Sequence, residues 1–210
     1  MLLLAIDTSG KDGSIALADC DASKCKILGM ASLEGGAFSA QLIPQVSDLL
    51  AKHNVTKNDI GAFAAVSGPG SFTGLRVGLA AVKALADILN RPLAAVSLLE
   101  AMAAESAEPA LAAMDAGRKE LYVRSLSGAE SLLTEPEFLA EAKGQLVVSG
   151  DKAVADLIRL GGLTVKEIAR PRSDAIARLG WKKIQSGETV TPEALDANYI
   201  RRADQLFARS

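Results

Sequence analysis

Histidine, cysteine and aromatic residues are scarce in this chain of 210 residues. The one histidine, His53, cannot build a two-histidine zinc motif or a His-carboxylate-His site. The two cysteines, Cys20 and Cys25, lack the second pair that a four-cysteine zinc site needs, so we expect two plain thiols. Five Phe, two Tyr and one Trp are too few for a platform on which nucleic-acid bases stack. We therefore expect neither a metal site nor autonomous nucleic-acid binding.

Charge and hydropathy also lack a strong bias. Lys and Arg together number 23 and Asp and Glu 25, which gives a net charge of −2, whereas proteins that hold nucleic acid alone usually carry a basic face. No basic segment precedes the first apolar run, and no run approaches the roughly 18–20 apolar residues that span a bilayer. We expect a cytoplasmic, globular protein without a membrane segment.

The hydrophobic pattern predicts an α/β fold. Apolar runs at 2–7, 14–18 and 26–32 predict an antiparallel meander, followed by helices at 39–53 and 75–89 and strands at 63–67 and 93–96. Pro44 predicts that the first helix begins near it or is kinked. Further helices and strands alternate from residue 98 to 185. We expect two domains, an N-terminal one over 1–105 and a smaller C-terminal one over 106–210.

A glycine-rich segment runs from Ser67 to Gly74 between a predicted strand and a predicted helix. Backbone N–H groups at such a helix start can hold an anion. The segment lacks the Gly-Lys-Ser/Thr of a Walker A loop, and Thr73 stands where the dinucleotide fingerprint has its third glycine. The alternative is a tight turn in which Ser71 or Thr73 caps the helix.

The helix predicted over 75–89 is apolar on nearly all sides. Its polar side chains, Arg76, Lys83, Asp87 and Asn90, fall on one narrow stripe. A helix with one wet side is polar over about half of its circumference, so this helix needs cover on two sides. It is either central to its own domain or part of a subunit interface.

Catalytic constellations are weak. Asp7 and Thr8 end the first strand, where nucleotide-handling sheets keep a carboxylate, although a local turn explains them equally well. The chain has no Gly-x-Ser-x-Gly motif whose serine His53 could activate as a general base. We expect no catalytic residue. Two alternatives are an ATP-dependent phosphotransferase that uses Asp7 and the glycine-rich segment, and a peptidase.

Several segments occur in order over nearly the whole chain. They are Leu4-Ala5-Ile6-Asp7-Thr8, the run from Ser67 to Gly78, Ala113-Met114-Asp115-Ala116 with Glu120-Leu121-Tyr122, and Tyr199-Ile200-Arg201. Together they resemble the bacterial TsaB (YeaZ-like) family. The stretch Gly-Pro-Gly-Ser-Phe-Thr-Gly-Leu-Arg is the specific part of this resemblance.

The resemblance implies an actin/Hsp70/sugar-kinase-like (ASKHA) fold with two related subdomains, the second reduced. It implies a non-catalytic subunit that activates a TsaD-like transferase, together with a TsaE-like ATPase, in placing threonylcarbamoyl on adenosine 37 of ANN-decoding tRNAs. It implies no cofactor for the isolated chain, ATP or ADP only at the assembled complex, and tRNA only through that complex. A homodimer of the isolated chain is an alternative use of the partner surface. The catalytic relative holds its metal with a pair of histidines, which one histidine cannot supply.

Two sets of site residues follow from the resemblance and the helical pattern. The family motif and phosphate-proximal loop comprise Asp7, Thr8, Gly68, Pro69, Gly70, Ser71, Thr73, Gly74 and Arg76. The partner interface is expected on the two apolar helices, at Leu42, Val46, Leu49, Leu75, Gly78, Leu79, Ala81, Val82 and Leu85. Phe38 stands where many family members have a histidine, and no role is transferred to it.

Overall fold

A computed structural model of the chain describes residues 1–200. In chain order the elements are β1 (Leu2–Asp7), β2 (Gly13–Cys20), β3 (Cys25–Leu33), α1 (Phe38–Lys52), a 3₁₀ turn (Lys57–Asp59), β4 (Ile60–Gly68), α2 (Phe72–Leu89), β5 (Leu93–Ser97), α3 (Leu98–Ala103), β6 (Leu111–Gly117), β7 (Glu120–Arg124), β8 (Glu130–Thr134), α4 (Glu135–Glu141), β9 (Leu146–Ser149), α5 (Lys152–Leu160), β10 (Thr164–Glu167) and α6 (Ser173–Gln185). Two compact units divide them. Met1–Leu98 with Pro171–Asn198 forms the first, and the second contains Leu99–Arg170.

The first unit is built on a sheet of strand order β3-β2-β1-β4-β5. Strands β1, β2 and β3 are antiparallel, whereas β4 and β5 run parallel to β1. Ile6 points toward α2, and Ala64, which belongs to the opposite face of the sheet, points toward α6. Because both faces are covered, β1 and β4 read as continuous apolar runs rather than as alternating ones.

The second unit repeats this topology. Its sheet has the order β10-β9-β6-β7-β8, again with three antiparallel strands followed by two parallel ones. Its core gathers apolar side chains of the central strands with Phe138 of α4 and Ile158 of α5. Its strands have four to seven residues, against five to nine in the first unit. The prediction of an ASKHA fold with two related α/β subdomains, the second reduced, is confirmed.

The predicted boundary between domains 1–105 and 106–210 does not match this division. Helix α6 belongs to the first unit, where it packs on β1, β2, β4 and β5, and α3 from Leu99 onward belongs to the second. Each set of five strands is therefore followed by a helix that is part of the other compact unit. Sequential domain boundaries cannot describe such an exchange.

Three local expectations also differ from the structure. Helix α1 begins at Phe38, six residues before Pro44, and continues through the proline to Lys52, so the expectation that it begins near Pro44 is wrong. Strand β8 does not follow from the hydrophobic pattern. Cys20 and Cys25 lie directly opposite each other in the β2–β3 ladder and are joined by a disulfide, so the expectation of two plain thiols is wrong. Within residues 1–200, no helix combines the length and the apolar character needed to cross a membrane.

Gly180 tests the placement of α6. A β-carbon at Gly180 would collide with the β-carbon of Ala64 on β4. Gly→Ala in an open helix interior is stabilising by about 1 kcal/mol, but overpacking costs about 1–3 kcal/mol. We predict that Gly180→Ala lowers the free energy of unfolding in urea, while Arg178→Ala on the exposed side of α6 changes it by less than about 0.5 kcal/mol. A Gly180→Ala variant more stable than the wild type would contradict this packing.

Candidate functional site: the glycine-rich loop and the exposed face of α2

The glycine-rich loop turns the chain sharply from β4 into α2. Gly68 has φ +138°, and the Gly68–Pro69 peptide bond is cis. A β-carbon at Gly68 would lie 2.7 Å from the carbonyl oxygen of Asn198, so only glycine fits there. Ser71 is the N-cap of α2, because its Oγ accepts a hydrogen bond from the Gly74 N–H at 3.3 Å. The capped-turn alternative is therefore confirmed, with Ser71 rather than Thr73 as the cap.

The segment from Asp7 to Ser9 lies directly against this loop. Its three side chains are buried. Asp7 Oδ1 accepts hydrogen bonds from the Ser9 N–H at 2.8 Å and from the Ser9 hydroxyl at 2.5 Å. The Ser71 N–H donates to the Ser9 carbonyl at 2.8 Å. The segment after β1 and the start of α2 are thus linked by hydrogen bonds within the chain.

Three glycines make this close approach possible. A β-carbon at Gly70 would collide with the backbone of Ser9, one at Gly74 with the carbonyl of Thr8, and one at Gly78 with the Thr8 hydroxyl. The Thr8 hydroxyl in turn donates to the Gly74 carbonyl at 2.7 Å. The spacing of four residues brings Gly74 and Gly78 to the same face of α2. These glycines serve helix–strand packing.

The structure brings together five residues that the sequence analysis assigned to one loop site, namely Asp7, Thr8, Gly70, Ser71 and Gly74. Their contacts are with one another. The Ser71 N–H, which an anion at this helix start would use, already has an acceptor. The cleft beside them measures about 190 Å³ and is lined by Gly10, Lys11, Gly36, Phe38, Ser39, Ser71, Thr73, Gly74 and Val77. Pockets for drug-sized ligands usually measure about 300–1,000 Å³.

Arg76 stands apart from that packed segment. Its side chain is exposed, and its guanidinium carbon lies 3.7 Å from the ring centroid of Phe72, which is itself 48% exposed. A guanidinium over an aromatic face is a cation–π contact. The pair places a partly apolar cation at the outer start of α2.

Most of the predicted interface residues face inward. Seven of them are buried in the chain itself, namely Leu42, Val46, Leu49, Leu75, Gly78, Leu79 and Val82. They pack α1 and α2 onto the first sheet and have little surface left for a partner, so their assignment to the interface stays a prediction. Ala81 and Leu85 are half-buried.

The other side of α2 is apolar and uncovered. It comprises the exposed Ala80, Ala84 and Ile88 and the half-buried Val77, Ala81 and Leu85, and we call these six residues the α2 stripe. Ile88 is 74% exposed, and Ile43 of the neighbouring α1 is 53% exposed. The expected cover on two sides is therefore present on one side only within the described residues.

Apolar periodicity could not tell the two sides of α2 apart, because both are apolar. The glycine spacing carried the missing information. Small residues at Gly74 and Gly78 were expected to admit another backbone, and that backbone is the end of β1. Gly74 and Gly78 therefore mark the side of α2 that packs on β1, and the α2 stripe lies next to that side, between it and the polar stripe of Arg76, Lys83 and Asp87.

No metal-binding group of three or more His, Cys, Asp or Glu side chains is found among residues 1–200. His53 is the C-cap residue of α1, and its ring packs over Gly29 of β3. The histidine is thus part of the packing between α1 and the sheet.

Comparison with known proteins gives a consistent result. Residues 35–135 match the family of TsaD, tRNA N6-adenosine threonylcarbamoyltransferase. The tRNA threonylcarbamoyladenosine biosynthesis protein TsaB of Escherichia coli K12 is 29% identical, over 96% of this chain and 95% of that protein. TsaB of Haemophilus influenzae is 28% identical, over 96% and 94%. YeaZ from Pseudomonas aeruginosa superposes with a TM-score of 0.73 at 27% identity, over 93% of this chain and 99% of that one.

The chain is a TsaB/YeaZ-like protein. The matches to TsaB and YeaZ run through both compact units. The TsaD match contains the whole of α1, the glycine-rich loop and α2. Two of the segments that suggested the TsaB/YeaZ resemblance, residues 4–8 and 67–78, are those that fix α2 on β1.

Thr8 and Gly78 test this packing as a pair. Gly78→Ala should destabilise the fold by about 1–3 kcal/mol, because its methyl group meets the Thr8 hydroxyl. Thr8→Ala should also destabilise it, because the Gly74 carbonyl loses a buried donor. Thr8→Ala removes the atom with which the Gly78→Ala methyl group collides. The double variant should therefore lose at least about 0.5 kcal/mol less free energy of unfolding than the two single variants lose in sum. Strict additivity in urea denaturation would count against the contact.

Proposed function

We propose that this TsaB/YeaZ-like chain acts in the synthesis of threonylcarbamoyladenosine in tRNA, as a non-catalytic subunit that binds and activates a TsaD-like transferase in the cytoplasm. The observation that carries the proposal is the α2 stripe. It is an apolar helix face left uncovered on a chain whose relatives are named for this pathway.

The α2 stripe has the character of a helix-docking surface. Ala80, Ala81 and Ala84 form its middle, and such small side chains let a second helix approach closely. Val77, Leu85 and Ile88 surround them with larger apolar side chains. Fully desolvated apolar centres with polar rims are typical of stable interfaces.

Charged residues of α2 supply the rim. Arg76 lies toward the start of the helix and Asp87 toward its end, and both are exposed. A partner helix that runs antiparallel would need an acidic residue near Arg76 and a basic one near Asp87. A second copy of α2 in antiparallel orientation satisfies both requirements. We therefore propose that the isolated chain uses the α2 stripe to form a homodimer, which the TsaD-like partner replaces.

The phosphotransferase and peptidase alternatives have less support. Asp7 Oδ1 is occupied by two hydrogen bonds from Ser9, and the adjoining cleft is small for a nucleotide. His53 packs over Gly29 of β3 at the end of α1, which is a structural role rather than that of a catalytic base. ATP or ADP, the TsaE-like ATPase and tRNA enter the proposal only at the assembled complex.

Reconstitution tests the function. A TsaD-like transferase, a TsaE-like ATPase, threonylcarbamoyl-adenylate, ATP and unmodified tRNA are incubated with or without this chain, and modified adenosine is measured by mass spectrometry. We expect no modification by this chain alone and a strong gain when it joins the transferase. Modification by this chain without the transferase would contradict the non-catalytic role, and no gain on adding it would contradict the activating role.

A substitution at Ala84 tests whether the α2 stripe is the surface that contacts the TsaD-like subunit. Ala84→Glu introduces a carboxylate that must be desolvated without a partner on assembly, so affinity for the TsaD-like subunit should fall by on the order of a hundredfold. The thermal melt of the isolated variant should change little, because Ala84 is exposed.

The matched control is Ala153→Glu, at an exposed alanine on α5 of the second unit. It should leave both affinity and homodimer formation unchanged in sedimentation experiments. Equal affinities for the two variants would show that the α2 stripe is not the contact.

A further inference from the structure

The turn that joins β2 and β3 is bounded by two cysteines. Cys20 exchanges backbone hydrogen bonds with Met1, its N–H donating to the Met1 carbonyl at 2.9 Å and its carbonyl accepting from the Met1 amino group at 2.8 Å. Since those backbone groups face β1, Cys20 and Cys25 form a non-hydrogen-bonded pair across β2 and β3. Side chains approach each other most closely in such pairs. The two sulfur atoms meet there as a disulfide.

The four residues between the cysteines form a well-defined turn. Asp21 Oδ1 accepts hydrogen bonds from the Ser23 N–H at 2.8 Å, the Ser23 hydroxyl at 2.7 Å and the Lys24 N–H at 3.0 Å. The Asp21 N–H donates to the Lys24 carbonyl at 2.8 Å. The backbone carbonyls of Asp21 and Ala22 are left to accept from elsewhere.

Those carbonyls hold the end of α6. Trp181 Nε1 donates to the Asp21 carbonyl at 2.8 Å. Gln185 Nε2 lies 3.3 Å from the carbonyl oxygens of both Asp21 and Ala22. Trp181 is 9% exposed, so its indole N–H depends on this acceptor rather than on water. The last two turns of α6 are therefore anchored to a loop that the cysteine pair closes.

We propose that Cys20 and Cys25 form a redox-sensitive clamp that sets how firmly α6 is held on the first sheet. In the oxidised state the disulfide fixes the turn and hence the two acceptor carbonyls. In the dithiol state the turn opens more readily, and the end of α6 detaches more often. Because α6 covers β1 and β4, a change in the redox state of the cysteines also changes how firmly the sheet that supports α2 is covered. This inference is independent of the proposed function.

The chemistry is ordinary thiol–disulfide exchange with a low-molecular-weight disulfide such as oxidised glutathione. Cys25 is half-buried and Cys20 is only 1% exposed, so Cys25 is the sulfur that reagents reach. Its thiolate attacks the reagent disulfide, forms a mixed disulfide and releases one reduced thiol. The Cys20 thiolate then attacks the Cys25 sulfur and releases the second. Each Cys thiol loses one proton, and the pair passes two electrons to the reagent.

The experiment uses Trp181, the one tryptophan of the chain, as its reporter. The full chain is equilibrated in glutathione buffers of graded ratio, acid-quenched and scored for free thiols by mass spectrometry. Tryptophan emission, Tm and trypsin cleavage after Lys182 and Lys183 are measured in parallel. We expect one shared midpoint, slower cleavage in the oxidised state, and a Tm higher by roughly 4–8 °C in that state.

The control is the double variant Cys20→Ala/Cys25→Ala, in which all three readouts should be independent of the glutathione ratio. Two results would overturn the clamp. One is that the thiols stay free at every ratio in the folded wild-type chain. The other is that the disulfide forms without any change in Trp181 emission or in cleavage of α6.

Discussion

The contact between α2 and the end of β1 is the constraint on which the first unit depends. Gly70, Gly74 and Gly78 leave no β-carbon between the helix and the backbone of Thr8 and Ser9. The helix therefore lies at one depth and in one rotation, with Leu75, Leu79 and Val82 buried beneath it. Fixing this rotation decides which apolar residues of α2 remain outside. The apolar surface that α2 leaves exposed is thus determined by the packing of its glycines against the end of β1.

This arrangement also gives the glycine-rich loop a structural role. Loops of this kind usually present free N–H groups to an anion at a helix start. Here the chain supplies its own acceptor, the Ser9 carbonyl, and its own cap, the Ser71 hydroxyl. The polar groups of the strand–loop–helix segment thus hold the structure together.

The sequence predicted strand and helix positions well, because apolar runs and periodicity act locally. It could not predict that α6 packs in the first unit, since that contact joins Gly180 to Ala64 over a long stretch of chain. It also could not distinguish the buried side of α2 from the exposed side, because an all-apolar pattern gives no orientation. The Cys20–Cys25 pairing could not be predicted from five-residue spacing alone, because it depends on the hairpin register that places the two residues opposite each other. The expected role of Tyr199-Ile200-Arg201 as a family motif extends to a residue outside the described ones.

Photo-crosslinking tests the central claim most directly. A benzoylphenylalanine is placed either at Ile88 on the α2 stripe or at Leu160 on α5, two side chains that are 74% and 88% exposed. Each protein is mixed with the TsaD-like subunit and irradiated. The account predicts an efficient crosslink from position 88 and none above background from position 160. A crosslink confined to position 160, or equal yields from both, would contradict it.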